Sequence, residues 1–165
     1  MGSLESYLLL RSIRTLDLRF RKQSSNAKII AKWLDEQREK GRIVTRVWHL
    51  SLESHPSHHL AEQYCNGLYS PCFGVEVTDE TTAKSLPRLT ELFIDATSLG
   101  GVESMIDWRY KWDSVHNPPN LVRFSVGIED TNDLIADLDN SFSKIEQERA
   151  DHPKKSSGGG KCQPF

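Results

Sequence analysis

The sequence is poor in cysteine and has no marked excess of either charge. Its 165 residues contain three cysteines, Cys65, Cys72 and Cys162. This odd, scattered set does not suit a disulfide framework, so a reducing, intracellular setting is expected. The net charge is −2, without the basic excess that is typical of nucleic-acid-binding proteins, so we expect no nucleic-acid partner.

Long apolar runs are also missing. No stretch approaches the roughly 20 apolar residues of a membrane-spanning helix, and the residues after Met1 lack the pattern of a signal peptide. We therefore expect a cytoplasmic protein with no membrane partner. The chain is long enough for one domain with a substantial core, and 37% of its residues are hydrophobic.

Apolar periodicity predicts helices at both ends of the chain. They are expected over residues 4–21 (with a bend near 15–18), 25–40 and 130–148. The sequence predicts a helical linker segment over 1–40, a domain over 41–150 and a disordered tail over 151–165, where Lys, Ser, Gly and Pro prevail.

Period-two alternation predicts about four strands between these helices. The strands are expected over residues 43–50, 71–78, 92–97 and 121–127, and residues 108–120 are expected to form a long ordered loop. Asp79 is expected to cap a short helix that runs through Leu86. The predicted fold is α/β, with one sheet covered by helices on one side.

Arg123 raises the main functional question, because it lies in the middle of the last predicted strand. Val122, Phe124, Val126 and Ile128 alternate onto one face, whereas Arg123 falls on the other. A guanidinium group stays charged and is costly to bury alone. Arg123 is therefore expected either to pair with an internal carboxylate or to bind an anionic ligand.

Two further motifs are candidates for a functional site. SLGGVES, residues 98–104, follows a predicted strand, and its glycines could let backbone N–H groups approach a ligand or could simply make a tight turn. His55, His58 and His59 suggest a metal site, but no Cys or acidic residue stands at a convincing ligand spacing. A helix start at Pro56 and Ser57 would place the histidines in an exposed first turn, so no metal site is predicted.

SLGGVES followed by LVRFSVGIEDTNDLIADLDNSF resembles the C-terminal domain of the cystathionine γ-synthase/γ-lyase family. These are pyridoxal-phosphate (PLP) enzymes of Cys/Met transsulfuration. The segments ESYLLLRSIRTLDLRF, HPSHHLAEQY and PCFGVEV agree in the same order, so the resemblance covers about residues 4–146. It implies the small C-terminal domain of a fold-type I PLP enzyme, in which a mostly antiparallel sheet has helices on one face and follows a long linker helix.

The resemblance also implies roles for individual residues. Arg123 would bind the α-carboxylate of an amino-acid substrate such as cystathionine or an activated homoserine, and Ser98 with the backbone near Leu99 would hold the same group. Gly100 and Gly101 would keep the turn tight beside it. The complete enzyme would form or break C–S bonds with PLP, as a homo-oligomer.

The sequence departs from the family pattern in three places. Thr97, which the resemblance places among the substrate-binding residues, stands where the γ-synthases and γ-lyases commonly carry Glu, and this leaves the γ-synthase, γ-lyase and β-lyase subtypes open. MIDWRYKWDSVHN, residues 105–117, is divergent as well. The family's Schiff-base lysine and its other cofactor-binding residues have no counterpart. No catalytic or cofactor-binding residue is therefore expected in this chain, which is expected to be inactive alone.

A non-catalytic alternative is a regulatory or interaction module that joins full-length subunits of the family. The exposed polar face of the sheet and the linker helix favour this hypothesis. A remnant without function is a third hypothesis.

Overall fold

A single five-stranded sheet organises the fold. The computed structural model describes residues 2–151, and its strand order is β1-β2-β5-β4-β3. The β3 and β4 strands pair in parallel, and the other neighbours are antiparallel. The strands are β1 Val44–Trp48, β2 Cys72–Val77, β3 Ile94–Asp95, β4 Met105–Trp108 and β5 Leu121–Ser125.

Five α-helices and a short 3₁₀ turn surround this sheet. They are α1 Ser3–Ile13, α2 Leu16–Glu39, α3 His58–Tyr64, α4 Glu80–Leu89 and α5 Thr131–Asp151, with the 3₁₀ turn at Arg109–Lys111. The backbone N–H of Thr82 donates to Asp79 Oδ1 at 2.9 Å, which confirms Asp79 as the cap of α4. Gly41 ends the α2 region with a φ of +73°, a conformation that glycine adopts without strain.

The hydrophobic core lies between the helices and one face of the sheet. Phe124 stacks on Phe73 with a ring-centroid distance of 5.5 Å, and Phe93 meets it edge-on. Of the positions expected to point inward from the last strand, Val122, Phe124 and Val126 are buried, whereas Ile128 is exposed, because the strand already ends at Ser125. The helices contribute Ala27, Ile30, Ala31, Leu34, Ala83, Leu86, Leu134, Leu138, Phe142 and Ile145.

The sheet has five strands, whereas about four were expected from the sequence. The strand that was not expected is β4, which has only four residues and contains Asp107, a residue type that strands disfavour. The expected strand over 92–97 shrinks to Ile94–Asp95. The expected loop over 108–120 has its first residue in β4 and continues into the 3₁₀ turn.

The helix boundaries also differ from those expected. The break falls between Ile13 and Leu16, and α2 then continues through residues 22–24. Gln23 and Ser24 are buried and hydrogen-bonded to Gly101 and Tyr69, so tertiary contacts hold the helix together there. No residue of α1 is buried.

The predictions for the end of the chain lie only partly within the described region. Asp151 is the last residue of α5, and residues 152–165 of the expected tail lie outside the described residues. The division at residue 40 stays a prediction, and the buried side of α2 belongs to the same core as the strands.

Candidate functional site

Arg123 lies on the open face of the sheet, opposite the helix-covered core. Its side chain crosses from β5 over β4 toward the segment that follows β3, where Nη2 donates to the backbone carbonyl oxygens of Thr97 and Ser98. The distance to Ser98 O is 3.0 Å. The structure thus joins the arginine strand to the start of the 98–104 turn.

The Arg123 Nε atom is buried and has no hydrogen-bond partner among the described residues. A buried N–H of a charged group that lacks an acceptor is costly, by about 1–3 kcal/mol or more. Carbonyl oxygens bind part of the guanidinium group but do not neutralise its charge. The arrangement therefore suits an arriving anion, because a carboxylate could use the donors that the protein leaves unused.

The 98–104 turn is held by contacts on its C-terminal side. Gln23 Nε2 donates to Gly101 O at 2.5 Å, and the Ile128 N–H donates to Val102 O at 2.9 Å. The carboxylate of Glu129 accepts from the N–H and the hydroxyl of Ser104, at 2.6 and 2.8 Å. These contacts come from α2 and from the end of the Arg123 strand, so the turn is fixed relative to Arg123.

Glycine is required at two places around this turn. Gly100 has a φ of +76°, which favours glycine. Gly127 follows β5, and a Cβ atom there would lie 2.2 Å from Val102 O. The close approach of these two backbone segments therefore depends on the absence of a side chain at position 127.

The predicted substrate-binding residues do come together. Thr97, Ser98, Leu99 and Gly100 are exposed, and the first two contact Arg123 through their carbonyl oxygens. Leu99 is 59% exposed. Ser98 contacts Arg123 through its backbone carbonyl oxygen. The family resemblance implied that Ser98 holds the substrate carboxylate and did not specify this hydrogen bond.

Asp107, Arg109 and Trp112 belong to this region and were not predicted from the sequence. Asp107 in β4 is directly opposite Arg123 and is fully buried. Its Oδ2 accepts from Arg109 Nη1 at 3.0 Å, and its Oδ1 accepts from Trp112 Nε1 at 2.9 Å. The alternation of Ile106 and Trp108 around Asp107 was the available signal, but it is only four residues long.

The charges of this region affect the pKa of the neighbouring Cys72 thiol. Burial raises the pKa of the Cys72 thiol, and the positive charges of Arg123 and Arg109 partly oppose that rise. Cys72 is paired with Ser125 in the ladder, one step along the sheet from Arg123. Both guanidinium groups thus act on one patch of the open face.

The open face also carries a groove. Its volume is about 520 Å³, and its lining consists of Trp48, Gly74, Glu76, Pro118 and Leu121. Gly74 is the strand partner of both Trp48 and Arg123, and a Cβ atom there would lie 3.2 Å from Leu121 Cδ1 and 3.7 Å from Trp48 Cδ1. A second hollow of about 500 Å³ lies between α4 and α5, away from this face.

The histidine cluster does not form a metal site in the part of the chain that the structure describes. No group of three or more His, Cys, Asp or Glu side chains among residues 2–151 is arranged to hold a metal ion. His58 Nδ1 instead lies 2.8 Å from Leu50 O, and its Nε2 lies 3.5 Å from a carboxylate oxygen of Glu62.

PLP enzymes hold their cofactor through a lysine in an enclosed pocket. Every lysine within residues 2–151 is exposed; they are Lys22, Lys28, Lys32, Lys40, Lys84, Lys111 and Lys144. Over the same residues, no helix combines the length and the apolar character that a membrane crossing needs.

Known proteins match this chain over most of its length. The family described as Cys/Met metabolism PLP-dependent enzyme matches residues 1–143. A cystathionine beta-lyase of Lactococcus lactis subsp. cremoris is 32% identical over 87% of this chain, and a cystathionine gamma-synthase of Escherichia coli is 36% identical over 86%. The crystal structure of metB from Corynebacterium glutamicum superposes with a TM-score of 0.77 at 31% identity, over 86% of this chain.

These matches use only part of each relative. The chain spans 39% of the Lactococcus protein, 38% of the Escherichia protein and 38% of the Corynebacterium chain. The family match includes the strands and the turn around Arg123. The chain therefore belongs to the family of PLP-dependent enzymes of cysteine and methionine metabolism.

Proposed function

We propose that this chain is the substrate-domain part of a PLP-dependent transsulfuration enzyme and binds the α-carboxylate of its amino-acid substrate. The observation that carries the proposal is Arg123, whose guanidinium group is fixed by two carbonyl oxygens while its buried Nε has no acceptor among the described residues. The family membership supplies the class of substrate, an amino acid such as cystathionine or an activated homoserine.

The division of labour follows from the residues. Arg123 would hold and orient the substrate carboxylate, and the turn that carries Thr97, Ser98 and Leu99 would form the wall beside it. PLP, when bound in the complete enzyme, supplies the electron sink for forming or breaking the C–S bond.

Thr97 leaves the subtype open, because a hydroxyl rather than a carboxylate stands next to the turn. The named relatives include both a beta-lyase and a gamma-synthase. We propose the γ-synthase/γ-lyase type, with a β-lyase-type enzyme as the alternative, in a cytoplasmic homo-oligomer.

The carboxylate site is tested by titrating the 165-residue chain with L-2-aminobutyrate, a short amino acid that carries the α-carboxylate. The NMR signal of the Arg123 Nε–H should shift in a saturable way, and Arg123→Met should abolish binding measured by calorimetry. Arg88→Met, which removes an exposed arginine on α4, is the matched control and should bind as the unmodified chain does. An unshifted Arg123 signal at saturating amino acid would disprove the carboxylate role.

The proposed lack of independent activity has its own test. After incubation with PLP and reduction with borohydride, we expect no single lysine to be labelled in preference to the others, because the described lysines are all exposed. Stoichiometric labelling of one lysine would show that the chain holds the cofactor itself.

The N-terminal helix supports a second function, that of an interaction module for full-length family subunits. No residue of α1 is buried, and large apolar side chains are exposed along α1 and the start of α2: Leu4, Tyr7, Leu8, Leu9, Leu10, Ile13, Leu16 and Leu18. Such a surface is typical of an interface that another polypeptide covers.

Co-expression with a full-length family enzyme tests this second function. The two chains should co-purify, and replacing Leu8 and Leu9 by Gln should separate them. Lys32→Gln and Lys40→Gln, at exposed positions in α2 and directly after it, form a control pair. If the unmodified chain and its control variant both fail to co-purify with the full-length enzyme and are monomeric, the interaction module is excluded.

A further inference from the structure

Asp107 is the carboxylate best placed to compete for Arg123. The two residues are directly opposite in the β4–β5 ladder and therefore point to the same face of the sheet. Cβ atoms of such pairs are about 5 Å apart, within reach of a direct ion pair. An arginine beside a buried carboxylate ordinarily forms that pair.

The two side chains do not pair here. Asp107 uses one oxygen for Arg109 and the other for Trp112, whereas Arg123 turns to the carbonyl oxygens of the neighbouring turn. Within residues 2–151, no carboxylate oxygen lies within ion-pair distance of Arg123. The carboxylate of Asp107 is thus neutralised by Arg109, and the charge of Arg123 remains for a ligand.

We propose that Arg109 and Trp112 are positioning residues that keep Arg123 available for a carboxylate by occupying both oxygens of Asp107. The proposal rests on the function proposed above for Arg123. It assigns to the divergent segment after β4 a part in ligand binding, although neither residue needs to touch the ligand.

Burial and geometry favour this role over simple anchoring of the loop. The Asp107 side chain is 0% exposed and that of Arg109 is 27% exposed, so this ion pair is shielded from water. Removing Arg109 would leave a buried carboxylate oxygen without a hydrogen-bond donor. Arg123 Nε, a buried donor without a partner, lies on the adjacent strand. Freeing an oxygen of Asp107 would therefore draw Arg123 into an internal ion pair.

The experiment measures the affinity of the 165-residue chain and its variants for L-2-aminobutyrate, by calorimetry and by the NMR signal of Arg123 Nε–H. Arg109→Met frees the Oδ2 atom of Asp107 and should weaken binding about tenfold, as expected for a competing hydrogen bond to a charged group. Trp112→Phe frees Oδ1 and should weaken it about threefold, because Arg109 still holds the other oxygen.

Trp112→Phe also guards against a folding failure of Arg109→Met, because Trp112 is 58% exposed and the phenyl ring keeps most of its contacts. In both variants the Arg123 Nε–H signal of the ligand-free chain should move, since its new acceptor is Asp107. A purely structural role would not predict that spectroscopic change.

Rescue distinguishes competition from damage. Adding Asp107→Asn to either variant removes the competing charge and should restore affinity to within about twofold of the unmodified chain. Unchanged affinity in both single variants, or double variants that stay as weak as the single ones, would overturn the proposal. If the unmodified chain itself gives no Arg123 response, the proposed function fails together with this inference; a normal response with unaffected variants removes this inference alone.

Discussion

The helix-covered face of the sheet and its open face are made from alternate residues of the same strands. In β5, Val122 and Phe124 enter a dry core, whereas Leu121 and Arg123 lie on the opposite side and are only partly buried. The covered face is filled by aromatic and aliphatic side chains from α2, α4 and α5. The open face carries charged groups, a glycine and a groove.

This difference separates stability from recognition within a single strand. Apolar area removed from water stabilises the fold at roughly 25 cal/mol per Å², and it is concentrated on one face. Directional donors such as those of Arg123 add little net stability, but they discriminate between ligands. Substitutions on the two faces should therefore affect different measurements.

The largest effect on stability is expected from Phe124→Ala. Phe124 is fully buried, stacks on Phe73 at 5.5 Å and meets Phe93 edge-on at 5.6 Å. Removing this ring should lower the free energy of unfolding by about 3–5 kcal/mol, measured by urea denaturation. Leu121→Ala, at the neighbouring position on the open face, should cost clearly less. Equal losses would mean that the two faces do not differ in this way.

Acid should lower the free energy of unfolding through His49, which packs on the helix-covered side. This residue is 2% exposed, its Nδ1 lies 2.7 Å from Ser51 Oγ, and burial lowers its pKa to about 4. The unfolded chain binds a proton near pH 6.5, but the native chain does so only near pH 4. This contribution to stability is therefore complete above about pH 6.5 and falls by about 3 kcal/mol as the pH drops to 4.

The control for this acid effect is a second histidine. His49→Gln should remove most of the slope of unfolding free energy between pH 6.5 and 4, whereas His59→Gln should keep it because His59 is exposed. If both variants keep the slope of the unmodified chain, His49 is not its source.

Much of the covered face could be predicted from sequence, because alternation depends on local pattern alone. The inward positions Val122, Phe124 and Val126 and the Asp79 cap were all found in this way. The family resemblance also placed Arg123 and the 98–104 turn in one site. The alternation and the helix cap depend only on residues that are close together in the chain.

The parts that were missed depend on distant contacts. Nothing local indicates that Arg123 donates to carbonyl oxygens some 25 residues away, because any backbone offers such acceptors. Asp107 weakened the strand signal of β4 while being stabilised by Arg109 and Trp112. Helix α2 continues through residues 22–24 because Gln23 and Ser24 bond to loops that a sequence pattern does not locate.

Arg123→Met should affect recognition much more than stability. The variant loses two hydrogen bonds to the 98–104 turn, so the free energy of unfolding should fall by about 1–2 kcal/mol, partly offset because a buried donor without a partner also disappears. Amide hydrogen exchange should rise in residues 98–104 and stay unchanged in α5. Binding of L-2-aminobutyrate should be lost altogether.

A loss of stability as large as that of Phe124→Ala would contradict this separation. It would indicate that Arg123 belongs to a buried internal ion pair, the alternative that the sequence left open. Arg88→Met again serves as the control, since it removes a guanidinium group from the exposed surface of α4.

The smallest effect is expected from Trp48→Phe at the far side of the open face. Trp48 Nε1 donates to Glu76 Oε1 at 2.6 Å, and the Arg46 guanidinium lies 3.5 Å from the centroid of the Trp48 ring. Arg46 is also the strand partner of Glu76, so it can bind the carboxylate that the indole N–H releases. The expected loss is therefore below about 1 kcal/mol in urea denaturation. L-2-aminobutyrate should bind with unchanged affinity, because Gly74 separates Trp48 from Arg123 in the ladder. A clear loss of affinity would instead show that Trp48 belongs to the ligand site.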